Sequence, residues 1–313
     1  MRVRICLMIE GQEGVTWNQW LALAETCDHA GLDGLFRSDH YTGFLSGQGS
    51  LDAWATLAAL AASTERIQLG TLVSPATFRH PSVLARNAIT VDQISRGRVA
   101  VGLGAGWHEG EHVENGFEFN DVAWRLERFR EQLEIVHRQL HEDEPFEFEG
   151  RQYTLRGSHP LPRPVQQRVP IIVGGAAKRG TADPAARFAD EFNTTSASVD
   201  DCRDRRQRLD RACERVGRDP ATLPLSLMAL CVVGADADDF QRRTQRLSER
   251  IGRPAEQLPW WPDQALVGTV DQVVDRLREY EDTGVTRVML QHLAHEDLDM
   301  VELLGREVAP AVA

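Results

Sequence analysis

Residues 66–112 read RIQLGTLVSPATFRHPSVLARNAITVDQISRGRVAVGLGAGWHEGEH. Two short apolar runs, IQLGTLVS (67–74) and RVAVGLG (98–104), bracket SVLARNAITVDQIS (82–95), which has helical character. Strand, helix and strand in that order form a crossover unit. Runs that are apolar at nearly every position belong to strands covered on both faces, as in a parallel sheet.

The same unit recurs in both directions along the chain. Upstream lie VRICLMI (3–9), GLFRSDH (34–40) and the helical LDAWATLAALAAS (51–63). Between the first two, Thr16 and Gln19 form a capping box ahead of Trp17, Trp20, Leu21 and Ala24 at helical spacing. Downstream, Leu126, Phe129, Leu133, Val136 and Leu140 mark a long helix. PIIVGG (170–175), EFNTT (191–195), LSLMALCVVG (225–234) and RVMLQHL (287–293) read as further strands. Helices are predicted over 180–189, around Leu209, Ala212, Cys213 and Val216, over 237–251, and around Val270, Val273, Val274 and Leu277. The joints AGLDGLF (30–36) and TGVTRVM (283–289) match in style, each with glycine where a helix ends.

Strand signals alternating with helices predict an α/β chain closed into a (β/α)8 TIM barrel, a fold of ~250 residues or more. A doubly wound open sheet is the alternative. The 313 residues are read as a single barrel domain, 1–313, with insertions near 41–51, 141–169 and 252–268. Within the second, FEFEGRQYTL (146–155) reads as a hairpin turning at Glu149–Gly150.

A net charge of −12 argues against nucleic acid as a partner. The arginine-dense stretch 203–218 is laced with acids and reads as the solvated face of a helix; Lys178 is the sole lysine. Five scattered cysteines, never C-x-x-C, point to a reducing, cytoplasmic setting without disulfides or a thiolate metal site. No apolar run is long enough to span a membrane.

His108, Glu109 and His112 spell H-E-x-x-H, the zinc-protease pattern. Its context argues against a metal: GLGAGW precedes it straight off a strand, and Gly106 and Gly110 lie in or beside the needed turn, where glycine costs a helix about 1 kcal/mol. Gly102, Gly104 and Gly106 are not a dinucleotide G-x-G-x-x-G either, and no regular helix is expected directly after them. They leave backbone bare at a strand's C-terminal end, where ligands approach a barrel.

That mouth gathers Ser38, Asp39 and His40; Thr71, Val73 and Ser74; Trp107, His108 and Glu109; Gly174 and Gly175 with Lys178 and Arg179; Asn193, Thr194 and Thr195; and Gln291 and His292. Each has a structural reading: Asp39 as a loop anchor, His40 and His292 as ordinary histidines, Thr71 as an internal bond, VGGAAKR as a plain turn. Together they suit a cofactor. Glycines leading into a lysine, an arginine and a helix N-terminus fit a phosphate. There is no nucleophile elbow and no glycosidase pair of carboxylates, so the chemistry belongs to a bound group.

FRSDHY (36–41), the 66–112 segment, RPVQQRVPIIVGGAAKR (163–179) and LVGTVDQVVDRLREYEDTGVTRVML (266–290) resemble the bacterial luciferase-like superfamily of flavin and deazaflavin oxidoreductases. AGWHEGEH resembles its coenzyme F420 branch. The resemblance implies a barrel, a homodimer and a ring bound at the mouth. It places His40, beside Asp39, near the reactive ring. Thr71, Leu72, Val73 and Ser74 would back the ring through a non-prolyl cis peptide at Leu72–Val73. Gly106 and Trp107 would flank the ribityl chain, and Gly174, Gly175, Ala176, Lys178 and Arg179 the phosphate. Glu109 is the candidate proton donor. The implied activity is hydride transfer between F420 and a small organic substrate. An FMN-dependent monooxygenase is the alternative, and a non-catalytic cofactor-binding barrel a third reading.

Overall fold

Along the first strand, β1 (Arg4–Ile9), Cys6 and Met8 fall on one face and Ile5, Leu7 and Ile9 on the other, and all five are buried. Such a strand needs cover on both sides. In the computed structural model, which describes residues 3–312, closure of the sheet provides it. The remaining strands are β2 (Gly34–Arg37), β3 (Gln68–Thr71), β4 (Ser74–Pro75), β5 (Val99–Gly104), β6 (Phe146–Glu149), β7 (Thr154–Ser158), β8 (Ile171–Gly174), β9 (Glu191–Thr195), β10 (Leu225–Gly234), β11 (Leu266–Thr269) and β12 (Val285–Gln291). β1, β2, β3, β5, β8, β9, β10 and β12 pair in parallel in that order, and β12 returns to β1. The sheet is a closed barrel, not the open alternative.

Helices cover it outside: α1 (Trp17–Ala30), α2 (Ala53–Ser63), α3 (Pro81–Ser95), α5 (Val122–His141), α6 (Arg179–Phe188), α7 (Val199–Arg215), α8 (Ala237–Ile251), α9 (Val270–Glu281) and α10 (Leu298–Leu303), while the short α4 (Glu109–Asn115) sits at the mouth. The Thr16–Gln19 capping box forms in both directions and starts α1; Gly31, at φ 95°, ends it in a left-handed turn closed to most side chains. The main core lies between sheet and helices. On α7 the arginine-rich stretch buries Leu209, Ala212 and Cys213 and turns most of its charges outward.

Inside the barrel, side chains stack in levels. At the N-terminal end Arg287 is ion-paired with Glu191, donates to Gln68 Oε1 at 2.6 Å, and has Arg4 near the same carboxylate. Above them Cys6, Phe36, Ala100, Ile172 and Met289 pack together. The Phe36 ring has room because β3 carries Gly70, where a Cβ would come within 2.7 Å of it. Among the described residues this floor plugs the N-terminal end, and the C-terminal mouth is the end open to a ligand.

Three segments depart from the repeat. In residues 41–51 the buried Glu13 carboxylate accepts the Phe44 and Ser46 N–H groups, both at 2.8 Å. β6 and β7 form the expected antiparallel hairpin, its turn held by Glu131, which accepts from Arg151, Gln152 and Tyr153 N–H at 2.8, 3.0 and 3.1 Å. The third segment is not wholly an insertion: its end is β11, paired in parallel with the outer half of β10 from Cys231 and Leu266 onward. A second correction concerns the glycines after β5. A regular helix does follow them at once, because His108 caps α4.

Candidate functional site

β3 ends at Thr71, whose hydroxyl donates to Gly102 O at 3.0 Å. The next peptide, Leu72–Val73, is cis. Here the Val73 side chain lies against β5 and β8: a Cβ on Gly104 would sit 2.7 Å from Val73 Cγ2, and one on Gly174 3.1 Å from Cγ1. The glycines therefore serve two ends. They admit Val73, and with Ala105, Gly106 and Gly175 they line the cleft with little more than backbone.

Behind this wall runs a buried polar chain. Ser74 Oγ donates to Asp39 Oδ2 at 2.5 Å and accepts from Trp54 Nε1 at 3.1 Å. Arg79 bonds the same Asp39 oxygen at 2.5 Å and reaches Asp52 at 2.8 Å. Asp39, Thr71 and Ser74 thus stand behind the surface and shape it, while Leu72 and Val73 face the cleft. Sequence reasoning passed over Arg79, which ties three segments together; its pairing with a distant Asp39 left no local pattern.

The other wall is built by α4. His108 Nδ1 accepts the Glu111 N–H at 3.0 Å, and the turn it starts carries Glu111 inward to complete burial. One Glu111 oxygen meets His40 Nδ1 at 2.8 Å; the other accepts the backbone N–H groups of Tyr41 and Thr42. Burial pushes the His40 pKa down, but the hydrogen bond and charge of Glu111, with Glu10 and Asp39, outweigh it and leave it raised. Burial likewise works against the Glu111 carboxylate, yet His40 and the two backbone donors hold its pKa low. The two form a hydrogen-bonded histidine–carboxylate pair at the edge of the cleft, and the carboxylate favours the charged form of the ring.

Glu109, two residues earlier, is exposed on the first turn of α4, outside the cleft lining. The inward acid is Glu111. Helical phase decides this, and only the cap at His108 fixes the phase. The same cap accounts for H-E-x-x-H. His112 Nδ1 lies 2.6 Å from His108 O, and its Nε2 lies 2.6 Å from Thr77 Oγ1. Both nitrogens of His112 and one of His108 are spent on structure.

The cleft between the walls has a volume of about 610 Å³. Its rim includes Glu10, which accepts from Gln291 at 2.6 Å and from Gln12 at 2.8 Å. Phe44, Trp107 and Trp260 supply rings, and Asn193, Thr195, Ser196 and Met228 the far side. Glu10, Phe44 and Trp260 were not read as site residues from sequence, since the last two sit in segments without periodicity. His292 lies elsewhere: fully buried, it is pushed down to about 3 by burial and by Arg243 and Arg250.

The phosphate region divides. Gly175 and Thr181 line the cleft at the start of α6. Ala176, Lys178 and Arg179 are exposed, and the last two line a neighbouring furrow with Arg208, Arg211 and Arg215 of α7. Asn193 Oδ1 is buried without a hydrogen-bond partner among the described residues, while Asn193 Nδ2 donates to Ser226 Oγ at 2.9 Å. A flat ring with an N–H at its edge fits these features: bare backbone for its face and a free buried acceptor for its edge.

Known proteins agree with this architecture. Residues 1–287 match the family described as luciferase-like monooxygenase. An F420-dependent glucose-6-phosphate dehydrogenase of Microbacterium testaceum (strain StLB037) is 27% identical over 315 residues, covering 94% of this chain and 93% of its own. An F420-dependent secondary alcohol dehydrogenase solved with an F420-acetone adduct superposes with a TM-score of 0.85 at 20% identity, covering 100% of both chains. The monooxygenase RslO1 of Streptomyces bottropensis superposes at 0.83 with 24% identity, covering 99% of this chain and 100% of its own. Barrel order, matched residues and full-length superposition converge: this chain belongs to the luciferase-like monooxygenase family.

Proposed function

We propose that the chain is an oxidoreductase that moves a hydride between coenzyme F420 and a small organic substrate. The observation that carries this reading is the part-buried His40–Glu111 pair at a cleft whose opposite wall is bare backbone. The F420-named relative, alike over nearly its whole length, supports the choice of cofactor. Gly104, Ala105, Gly106 and Gly174 would hold the ring, Asn193 Oδ1 its edge, and Gly175 with Thr181 the phosphate end. When bound, the deazaflavin gives or takes the hydride. Every other task falls to side chains. Glu111 fixes His40 through Nδ1 and favours its charged form, so His40 Nε2 holds the proton that the substrate oxygen gains or loses.

Titration with oxidised F420 and separately with FMN, followed by fluorescence, tests the reading. Tight F420 binding with weak FMN binding is expected. The reverse preference would make the chain an FMN-dependent monooxygenase, and F420 binding without any turnover a silent cofactor-binding barrel. The reading also carries a homodimer in the cytoplasm, the first to be checked by light scattering. All five cysteines are free and buried, which suits a reducing compartment, and no described helix is long and apolar enough to cross a membrane.

A further inference from the structure

The open side of the cleft constrains the substrate's chemistry, given the hydride-transfer reading above. Rings collect around His40. Phe44 stands 5.0 Å and Trp107 5.8 Å from it, centroid to centroid, and they are 5.3 Å from each other. Trp260 adds a third ring to the lining. Trp107 is 64% exposed and Phe44 40%, and both line the cleft, so aromatic surface faces the open cleft instead of a core. Apolar area of this kind gains ~25 cal/mol per Å² when a ligand covers it. The resemblance put Trp107 beside the ribityl chain; its ring neighbours are His40, Phe44 and His108.

Charge narrows the class further. The cleft lining holds two carboxylates, Glu10 and Glu111, and none of its described residues is lysine or arginine. His40 is already paired with Glu111, and His112 is bonded on both nitrogens. A phosphate or carboxylate on the substrate would be buried against like charge with no cation of its own. Unpaired burial of that kind costs several kcal/mol.

We infer that the substrate is an uncharged alcohol, or the matching ketone or aldehyde, with an alicyclic or aromatic body seated among Phe44, Trp107 and Trp260. Its oxygen lies at His40 Nε2, the ring nitrogen that Glu111 leaves free. In the oxidising direction the carbinol C–H bond breaks and its electron pair leaves with hydrogen as hydride to oxidised F420. The O–H proton passes to His40 Nε2, and C–O becomes C=O. In the reducing direction the carbonyl carbon gains a hydride, which bound reduced F420 would supply, and the oxygen gains the proton from His40 Nε2.

The test starts from wild-type protein titrated with F420, because failure to bind would overturn the cofactor reading itself. With F420 bound, cyclohexanol and 1-phenylethanol are compared with glucose 6-phosphate by the change in F420 absorbance. Cyclohexanone binding is followed separately by quenching of tryptophan fluorescence and by thermal shift. The expected result is a kcat/KM for the neutral alcohols at least roughly tenfold above that for the sugar phosphate. Phe44→Ala with Trp107→Ala should weaken cyclohexanone binding roughly tenfold with the F420 Kd unchanged. Equal or better turnover of glucose 6-phosphate would overturn the inference. So would F420 binding with neither turnover of the alcohols nor binding of cyclohexanone, or a double variant that loses F420 and leaves cyclohexanone binding intact.

Discussion

The barrel holds an acid–base pair at each end, buried at the floor and part-buried at the mouth, and the two differ in kind. At the floor, Arg287 and Glu191 are each 3% exposed at their side chains, and Gln68 and Arg4 complete the set. At the mouth, His40 pairs with Glu111, 16% and 0% exposed, at the edge of a cleft. A guanidinium keeps its charge at any working pH, so the floor pair can only hold the strands in place. An imidazole changes charge near neutrality, and here one nitrogen is left free beside open space. The lesson concerns the cation: the same carboxylate chemistry makes a plug with arginine and a proton site with histidine.

Substitutions at the two ends should therefore fail in different ways. His40→Ala is expected to lower kcat by ~10²–10⁴ with the F420 Kd little changed. Its loss of stability should be smaller than at the floor, because the Tyr41 and Thr42 N–H groups still hold the Glu111 carboxylate; loss of fold in place of rate would break the contrast. Arg287→Met leaves Glu191 buried without its partner and should cost ~3–5 kcal/mol of stability, read in urea unfolding. Its folded fraction should bind F420 normally.

Gly104→Ala probes the wall between the ends. The new Cβ meets Val73 Cγ2 at 2.7 Å, so either Val73 shifts or the wall moves into the cleft. A loss of ~1–3 kcal/mol, divided between stability and F420 affinity, is expected; no change in either would mean the wedge is loosely packed. Glu111→Gln removes the charge that raises the His40 pKa. Because the folded pKa of His40 is raised, the pair's stabilising effect is fully present below the ordinary value of 6.5 and lost as pH rises through the native value. The variant should lose that increment, and in the carbonyl-reducing direction its alkaline activity limb should move to lower pH. Glu109→Gln should be nearly silent, within about 0.5 kcal/mol, since Glu109 is exposed outside the cleft lining.

The sequence foretells the barrel well because its strands are buried on both faces. Runs such as VRICLMI and LSLMALCVVG, apolar at nearly every position and set between helical stretches, suit a covered parallel sheet, and both are barrel strands in the structure. The mouth is less legible. Chain order brings Asp39, Thr71 and Ser74 to the right level, but only packing puts them behind the wall and Val73 in front. Glu111 was hidden by two residues: a helix begun one position earlier or later would turn a different acid inward. The glycines of β5 were read as space for a ligand, and Val73 takes the space beside Gly102 and Gly104. Trp260 and Phe44 come from aperiodic segments whose placement depends on long-range contacts such as Glu13 to Phe44.

The most direct test of the mouth pair is the titration of His40 itself, followed by NMR of histidine-labelled protein in wild type and Glu111→Gln. A midpoint above 6.5 is expected in wild type, with a clear fall when the carboxylate is replaced by an amide. A wild-type midpoint at or below 6.5, or one that Glu111→Gln leaves in place, would contradict it.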